Sequence, residues 1–450
     1  MKLHKIYFIA LLTLIVSIKD ALSQSADSLI SLRLQVNLYQ FPENKFRYYS
    51  MDQADAWTNN FYEAGFLGVN SLSKILFNPK KGKSRRFFHA TSNYLLGFAF
   101  SKYGSSLPIP LGEWQHEEYH RTVLGTMNID SKNGMWLFHR WDGTVYGVSD
   151  EALSSAKSTN LQNLLYAYVS GVQAENNSTR QNVMTDFYHR RKVYKNPLYL
   201  YNAWYVWNYF RFSTSAASDS VKVIAPRNEN KNPQERDFAG ADLTAWAYDM
   251  FKPGEPFDSR EPFPNGEGVN RRLGFSDLPV EAQDYLKKQQ TLSLLNFLNP
   301  AIFCVNHISF GSAFSFNAFV QYAPTHFGND ISVLTPFKLR NTGFLLGFHR
   351  YSNYKNSFPG IELGMNEIKL NPAGSVYLTA GINAWKQPVN QSFFDENGKP
   401  GGMLKVKLET KLSRTFGLFI GGYYKTQGWV PGNPYLSSKA GFNTGLSIIY

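Results

Sequence analysis

The sequence has little cysteine and no long apolar run beyond its first twenty residues. Cys304 is the only cysteine among 450 residues, so an internal disulfide cannot form and stability must come from packing or from a closed sheet. After residue 20, no stretch approaches the roughly 18 consecutive apolar residues that a membrane-spanning helix needs. The chain is therefore neither a disulfide scaffold nor a helical membrane protein.

Several functional motifs are also missing. The formal net charge is +12, but the lysines and arginines are scattered, without a dense basic block or a nucleic-acid-binding motif. There is no glycine-rich phosphate loop and no G-x-S-x-G elbow. Nucleic acid is therefore excluded as an expected partner, whereas an anionic lipid surface suits a basic chain.

The N-terminus has the pattern of an export signal. Lys2 and Lys5 precede an apolar segment at 6–18, and Ala21, Leu22 and Ser23 supply small residues near a cleavage point. The apolar segment is too short to span a bilayer. We therefore predict a cleaved signal peptide at 1–23 and an exported mature chain.

The last third of the sequence alternates between apolar and polar residues. In 404–412, for example, Leu404, Val406 and Leu408 alternate with Lys405 and Lys407. Successive side chains of a strand point to opposite faces, so each such segment predicts a strand with one apolar and one polar face. Segments with this pattern occur at 314–322, 344–350, 361–367, 376–384, 404–412 and 416–425, and near the N-terminus at 32–39.

The final stretch, AGFNTGLSIIY, also alternates and stops on Tyr450. It resembles the C-terminal strand of Gram-negative outer-membrane β-barrel proteins. The resemblance implies a location in the outer membrane, contact with outer-membrane lipid, and recognition of the Tyr450 strand by the barrel-assembly machinery. Lys405, Lys407 and Glu409 would then face the lumen. A soluble β-sandwich is the alternative, with the apolar faces packed on each other.

The middle of the chain has a helical pattern instead. Residues 216–240 and 252–273 are expected to be irregular, and helices are predicted at 51–76, 160–176, 197–212, 243–251 and 279–298. The predicted fold is α+β: a C-terminal antiparallel transmembrane β-barrel of about 8–10 strands, closed with an N-terminal strand, and a mostly helical inserted domain. The expected boundaries are 24–48 for the N-terminal strand region, 49–300 for the helical domain and 301–450 for the barrel strands.

The segment HEEYH, at 116–120, matches the H-E-x-x-H pattern. On a helix, His116 and His120 lie one turn apart on one face, so that both imidazoles can bind one ion. The motif resembles that of the zincin metallopeptidases. The resemblance implies Zn²⁺ as cofactor, His116 and His120 as its ligands, and Glu117 as the base that activates a water molecule.

A zinc site of this kind needs a third protein ligand. Residues 121–138 contain no histidine, which excludes the metzincin extension. Glu175 lies on the apolar stripe of a predicted helix, where a lone carboxylate is costly unless it is paired or bound to a metal. We therefore predict Glu175 as the third ligand, as in gluzincin-like proteins. Asp242 and Asp249 are interpreted as helix caps or surface acids.

The predicted function is that of an outer-membrane zinc-dependent hydrolase, in the first place a metallopeptidase. The aromatic stretch at 199–212 would equally suit a lipid-like substrate beside the site, or it could be a packed core helix. An outer-membrane channel or transport protein, or a structural barrel protein with a non-catalytic helical domain, is the alternative.

Overall fold

A computed structural model describes residues 33–42, 49–189, 195–264, 266–371 and 375–449. The predicted signal peptide at 1–23 and the terminal Tyr450 lie outside the described residues. In the described chain, one strand precedes a helical region, and a large sheet follows it.

The helical region contains nine α-helices among the described residues. Its first helix begins at a capping box in which Ser50 and Gln53 bond each other's backbone N–H groups. The predicted helices are confirmed, whereas the predicted irregular segment at 216–240 contains one further short helix. The helices are α1 (Met51–Leu76), α2 (Lys83–Gly104), α3 (Gly112–Thr126), α4 (Asp150–Thr159), α5 (Leu161–Tyr188), α6 (Asn196–Ser213), α7 (Ala216–Ile224), α8 (Asp242–Phe251) and α9 (Val280–Ser293).

Eleven antiparallel strands form the large sheet, and two short strands, β2 (Lys132–Asn133) and β3 (Val145–Tyr146), pair separately. Its order is β1-β13-β12-β11-β10-β9-β8-β7-β5-β4, and β6 pairs with β7 off this path. The strands are β1 (Arg33–Phe41), β4 (Ile308–Phe310), β5 (Phe314–Phe316), β6 (Phe319–Thr325), β7 (Gly328–Leu339), β8 (Thr342–Ser352), β9 (Ser357–Lys369), β10 (Val376–Pro388), β11 (Gly398–Lys411), β12 (Phe416–Lys425) and β13 (Lys439–Ile449).

The N-terminal and C-terminal strands pair as predicted, with Val36 opposite Leu446. The predicted closed barrel of 8–10 strands is not found, because in the described residues the eleven strands form an open sheet that ends at β1 and β4. A helix occupies the outer edge of β1. The side chain of Asn60, on α1, accepts a hydrogen bond from Gln35 N at 3.1 Å and donates one to Gln35 O at 2.8 Å. These bonds satisfy edge groups that another strand would otherwise pair with.

The sheet exposes its apolar face and covers its polar face, which is the reverse of a soluble β-sandwich. Apolar side chains point outward, and Ile382, Leu404 and Ile420 are 54%, 48% and 57% exposed. The polar face points toward α1 and α5, and Lys405 and Lys407 line a cavity there. No helix among the described residues is both long and apolar enough to cross a membrane.

Helix α5 lies at the centre of the helical region. Nearly all of its side chains between Leu164 and Ser178 are buried. It packs against α3, α6 and α8 and reaches the sheet, where Arg180 pairs with Glu362 of β9. Helix α5 therefore provides a rigid support against which side chains of three other helices are positioned.

Candidate metal site

Helix α3 carries the two predicted histidine ligands on the face that packs against α5. Their spacing of four residues brings the imidazole rings of His116 and His120 to a centroid distance of 4.8 Å. The two side chains are only 3% and 1% exposed. The predicted arrangement of two imidazoles on one helix face is therefore present, and it lies inside the protein.

A glycine on α5 leaves space in front of both rings. A Cβ atom added to Gly171 would lie 2.3 Å from Nε2 of His116 and 2.3 Å from Nε2 of His120. Both distances are far shorter than real Cβ contacts, so a side chain at this position would clash with the two imidazole rings. Any larger residue at this position would fill the space toward which both ring nitrogens point.

Asp242, in the first turn of α8, completes a group of three. Its Oδ2 atom lies 3.2 Å from Nε2 of His116 and 3.3 Å from Nε2 of His120. Among the described residues, these three side chains are the one group whose possible ligand atoms converge in this way, all within 4.8 Å of one another. The hydroxyl of Tyr209, on α6, donates a 2.8 Å hydrogen bond to the same Asp242 oxygen and orients it.

The other ring nitrogens have partners of their own. Nδ1 of His120 lies 2.5 Å from the carbonyl oxygen of Ala167, and Nδ1 of His116 lies 3.3 Å from Oε1 of Glu175. A carbonyl and a carboxylate are acceptors, so each Nδ1 carries a hydrogen, and Nε2 is the nitrogen that can bind a metal once it carries no proton. Partners of this kind orient histidine ligands in known metal sites.

Glu175 is buried, as predicted, but it approaches His116 from the side away from Asp242. Its role as third ligand remains a prediction. In this structure its contact is with Nδ1 of His116, where it orients the imidazole ring. The interpretation of Asp242 and Asp249 as caps or surface acids is wrong. Asp242 is buried among the histidines, and Asp249 is fully buried in ion pairs with Lys157 and Arg260.

Glu117 is buried beside the histidines, without a hydrogen bond to its carboxyl group in the part of the chain that the structure describes. Burial raises its pKa well above the ordinary value; His116 opposes this shift, and the carboxyl groups of Asp237 and Asp242 reinforce it. A carboxyl group with a raised pKa holds a proton more readily than an exposed glutamate does, and a general base must accept a proton.

The site as a whole is rich in negative charge. Burial opposes protonation of His116, but the nearby carboxylates of Glu175 and Asp242 outweigh it and raise the pKa of His116 well above the ordinary value. One carboxylate oxygen, Glu175 Oε2, is buried without a hydrogen-bond partner among the described residues. Carboxylates buried together are costly unless cations balance them. A divalent ion would supply that charge.

The aromatic stretch at 199–212 contributes both to the core and to the site. Tyr199 and Phe210 are fully buried in the core. The rings of Tyr205 and Tyr209 instead pack against His116, at centroid distances of 5.9 Å and 6.1 Å. The packed-core interpretation therefore holds for part of this helix, whereas a lipid-like substrate beside its other aromatic residues stays a prediction.

Sequence reasoning missed Asp242, Gly171 and Tyr209. Asp242 had one usable signal, since it is a charged residue at the start of the otherwise mostly apolar helix DLTAWAYDMF. Gly171 interrupts a helical stretch of larger residues, which is a sign of close packing. Comparisons of the chain with protein families, curated proteins and solved structures found no match.

Proposed function

We propose that this chain is a zinc-dependent hydrolase whose ion is held by His116, His120 and Asp242. The observation that supports the proposal is the convergence of three ligand atoms within 4.8 Å of one another, beside a glycine that leaves the two imidazole nitrogens free of a facing side chain. Two imidazoles and one carboxylate are a typical catalytic zinc set, which leaves a fourth position for water or substrate. When bound, zinc supplies a Lewis acid that polarises a carbonyl group and acidifies a water molecule.

The residues around the ligands have the roles of general base and of positioning the ligands. Glu117 accepts the proton of the attacking water on its carboxylate and passes it to the leaving group. Glu175 and the carbonyl of Ala167 hold the two imidazoles with Nε2 toward the ion. Tyr209 fixes Asp242 by donating to it. Burial of the whole set strengthens these electrostatic interactions.

A peptide bond is the proposed target, because Glu117 follows His116 directly, as in the zincin peptidases. A lipid-like substrate is the second candidate, and a specific observation favours it. Phe138 and Trp141 are 85% and 61% exposed on a loop whose Gly143 lies against Glu113, one turn before Glu117 on α3. Exposed apolar side chains beside a reactive site suit an acyl chain.

We further propose that the outer face of the sheet contacts outer-membrane lipid. The support is the row of exposed Ile382, Leu404 and Ile420 on one face, opposite a polar face that packs on helices. In water such a face would be an aggregation hazard, whereas in a bilayer it is the expected surface of a membrane sheet. Extraction that requires detergent would support this location, and release by buffer alone would contradict it.

The hydrolase proposal is tested by metal content and turnover together. Full-length protein is purified and its zinc measured by mass spectrometry; cleavage of a fluorescent casein and of a short-chain phospholipid is then followed. We expect stoichiometric zinc and turnover of one of the two probes. Glu117→Gln should keep the zinc and lose activity by about 10²–10⁴-fold, whereas the exposed Glu281→Gln should change neither. Protein without zinc, or an active Glu117→Gln variant, would overturn the proposal.

A further inference from the structure

A second cavity, distinct from the metal site, lies between the polar face of the sheet and helices α1 and α5. Its volume is about 440 Å³, within the range of about 300–1,000 Å³ that is typical of small-molecule sites. Helix α5 presents Gly171 and Glu175 to the metal site, and presents Asn177 and Gln181, from another face, to this cavity. The two sites therefore share a helix but no lining residue.

Side-chain amides dominate the lining of the cavity. On the helical side, Asn177 and Gln181 are fixed, because each donates a hydrogen bond to Asp55, at 2.6 Å and 2.7 Å. On the sheet side, three further amides line the cavity, and their side chains have no hydrogen bond within the described ranges of the chain; these are Asn366, Asn383 and Asn443. Each of them offers both N–H donors and a carbonyl acceptor to a ligand.

The charged groups of the lining have ion-pair partners, several of them within the lining itself. Arg180 pairs with Glu362, and Lys195 pairs with Glu63 at 3.1 Å. Lys405, on the sheet, lies 3.6 Å from Asp52 of α1. Because these opposite charges already compensate each other across the cavity, the lining presents no surplus of one sign that would select an anion or a cation.

Small residues keep the sheet side of the cavity open. Gly381 and Gly421 lie on the inward face, next to the lysines of β11. A Cβ atom at Gly381 would meet only a backbone oxygen of Leu363, at the ordinary distance of 3.7 Å. The position therefore has room for a side chain, and the space beyond it belongs to the cavity.

We propose that this cavity binds a neutral saccharide. Sugar hydroxyl groups donate and accept hydrogen bonds at once, and side-chain amides match them because they do the same. Because the charged side chains of the lining already have partners of opposite charge, a ligand does not need a charge of its own to compensate them. The rings of Tyr188 and Tyr423, which also line the cavity, supply apolar surfaces against which the C–H face of a sugar ring can pack.

Calorimetric titration of the full-length protein tests the proposal. The neutral probes are maltotriose, cellotriose and chitotriose, and the charged comparators are trigalacturonate and the chitosan trimer. We expect saturable binding of at least one neutral trisaccharide in the millimolar range or tighter, and weaker binding of the charged trimers. Asn383→Ala and Asn366→Ala should each weaken binding by about three- to tenfold, the loss of one hydrogen bond.

A pair of adjacent residues supplies the matched control. Gly381→Phe places a ring in the cavity without removing a hydrogen-bonding side chain, and should abolish binding. Ile382→Phe places a similar ring on the opposite face of the same strand and should leave binding unchanged. Glu117→Gln should also leave it unchanged, which separates this proposal from the hydrolase.

Two results would overturn the proposal. One is no saturable binding of any neutral trisaccharide by folded wild-type protein, which would identify the cavity as a water-filled space. The other is binding that Gly381→Phe and Ile382→Phe leave equally intact, which would place the sugar elsewhere on the protein. Circular dichroism of each variant establishes that it is folded before binding is compared.

Discussion

The Oε1 atom of Glu175 lies 3.3 Å from Nδ1 of His116, the ring nitrogen that faces away from Asp242. A carboxylate in this position holds a histidine ligand in one tautomer and one orientation. It cannot bind the same ion as the opposite nitrogen of that ring without a rearrangement. The contact therefore indicates that Glu175 orients His116, whereas Asp242 is the residue placed to bind the ion.

The first prediction separates these tasks. Asp242→Asn should lose stoichiometric zinc, because it removes the anionic ligand. Glu175→Gln should keep zinc but bind it about 10–100-fold more weakly, the usual effect of losing an orienting partner. Zinc content and competition with a chelator measure both. If Glu175→Gln lost all zinc while Asp242→Asn retained it, Glu175 would be the ligand that the sequence predicted.

The second prediction concerns the space in front of the imidazoles. Gly171→Ala should prevent zinc binding, because the added methyl group would lie 2.3 Å from both Nε2 atoms. Gly68→Ala, on α1, is the matched control, since a Cβ there meets nothing within 4 Å. It should keep zinc and stabilise the helix by about 0.5–1 kcal/mol. Equal zinc content in the two variants would show that the ion binds elsewhere.

These residues show how far the sequence could predict the site. His116 and His120 could be placed together because four residues make one helical turn, and the burial of Glu175 followed from its position on an apolar stripe. The position of Asp242 could not be predicted, because its approach to His116 depends on how helix α8 packs in the folded protein. Its one local signal, a charge at the start of a mostly apolar helix, does not identify a partner, because acids are common in the first turn of any helix.

The fold was predictable to a similar extent. Alternation identified most strands, and the pairing of β1 with β13 was expected. Strand β7 was missed, because Asn329, Asp330 and Pro336 interrupt its pattern. Closure could not be judged from alternation, which indicates the two faces of a strand but not what occupies its edge. In the protein, Asn60 of α1 occupies the edge of β1.

The third prediction is a reversal of pH dependence by zinc. Without zinc, the folded protein favours protonated His116, whose pKa lies well above its ordinary value of 6.5. The protonated His116 stabilises the folded state fully below pH 6.5, and this stabilisation is lost as the pH rises through the raised pKa of His116. The pKa of Glu117 is also raised, so its titration likewise lowers the stability as the pH rises. Zinc must displace the proton on His116, so its affinity rises with pH.

The measurement is the difference in Tm between zinc-loaded protein and protein treated with a chelator. We expect this difference to widen as the pH rises from about 6.5, the ordinary pKa of histidine, toward the raised pKa of His116. A difference that stays constant across this range would mean that zinc binding releases no proton, and would contradict the assignment of His116 as a ligand.

The fourth prediction concerns a buried carboxylate that supports the site. Asp55 accepts hydrogen bonds from Gln115 and Tyr119 of α3, and from Asn177 and Gln181 of α5, all at 2.6–2.7 Å. Asp55→Ala should lower the free energy of unfolding by at least about 3 kcal/mol, because buried donors lose their acceptor. The exposed Asp284→Ala should change it by less than about 0.5 kcal/mol. Similar urea midpoints for the two variants would contradict this role.

The fifth prediction tests the lipid-facing surface. Leu404 lies on the outward face in the middle of β11, and Leu412 lies just beyond the end of the strand. In a bilayer, arginine costs about 2–4 kcal/mol at mid-depth and about 0–1 kcal/mol near the interface. Leu404→Arg should therefore destabilise vesicle-reconstituted protein far more than Leu412→Arg, as measured by urea unfolding. In a water-exposed sheet both leucines would already contact solvent, and both substitutions would stay within about 0.5 kcal/mol. A difference well above about 1 kcal/mol, the range of strand propensity, therefore indicates surroundings that change from water to hydrocarbon along this face.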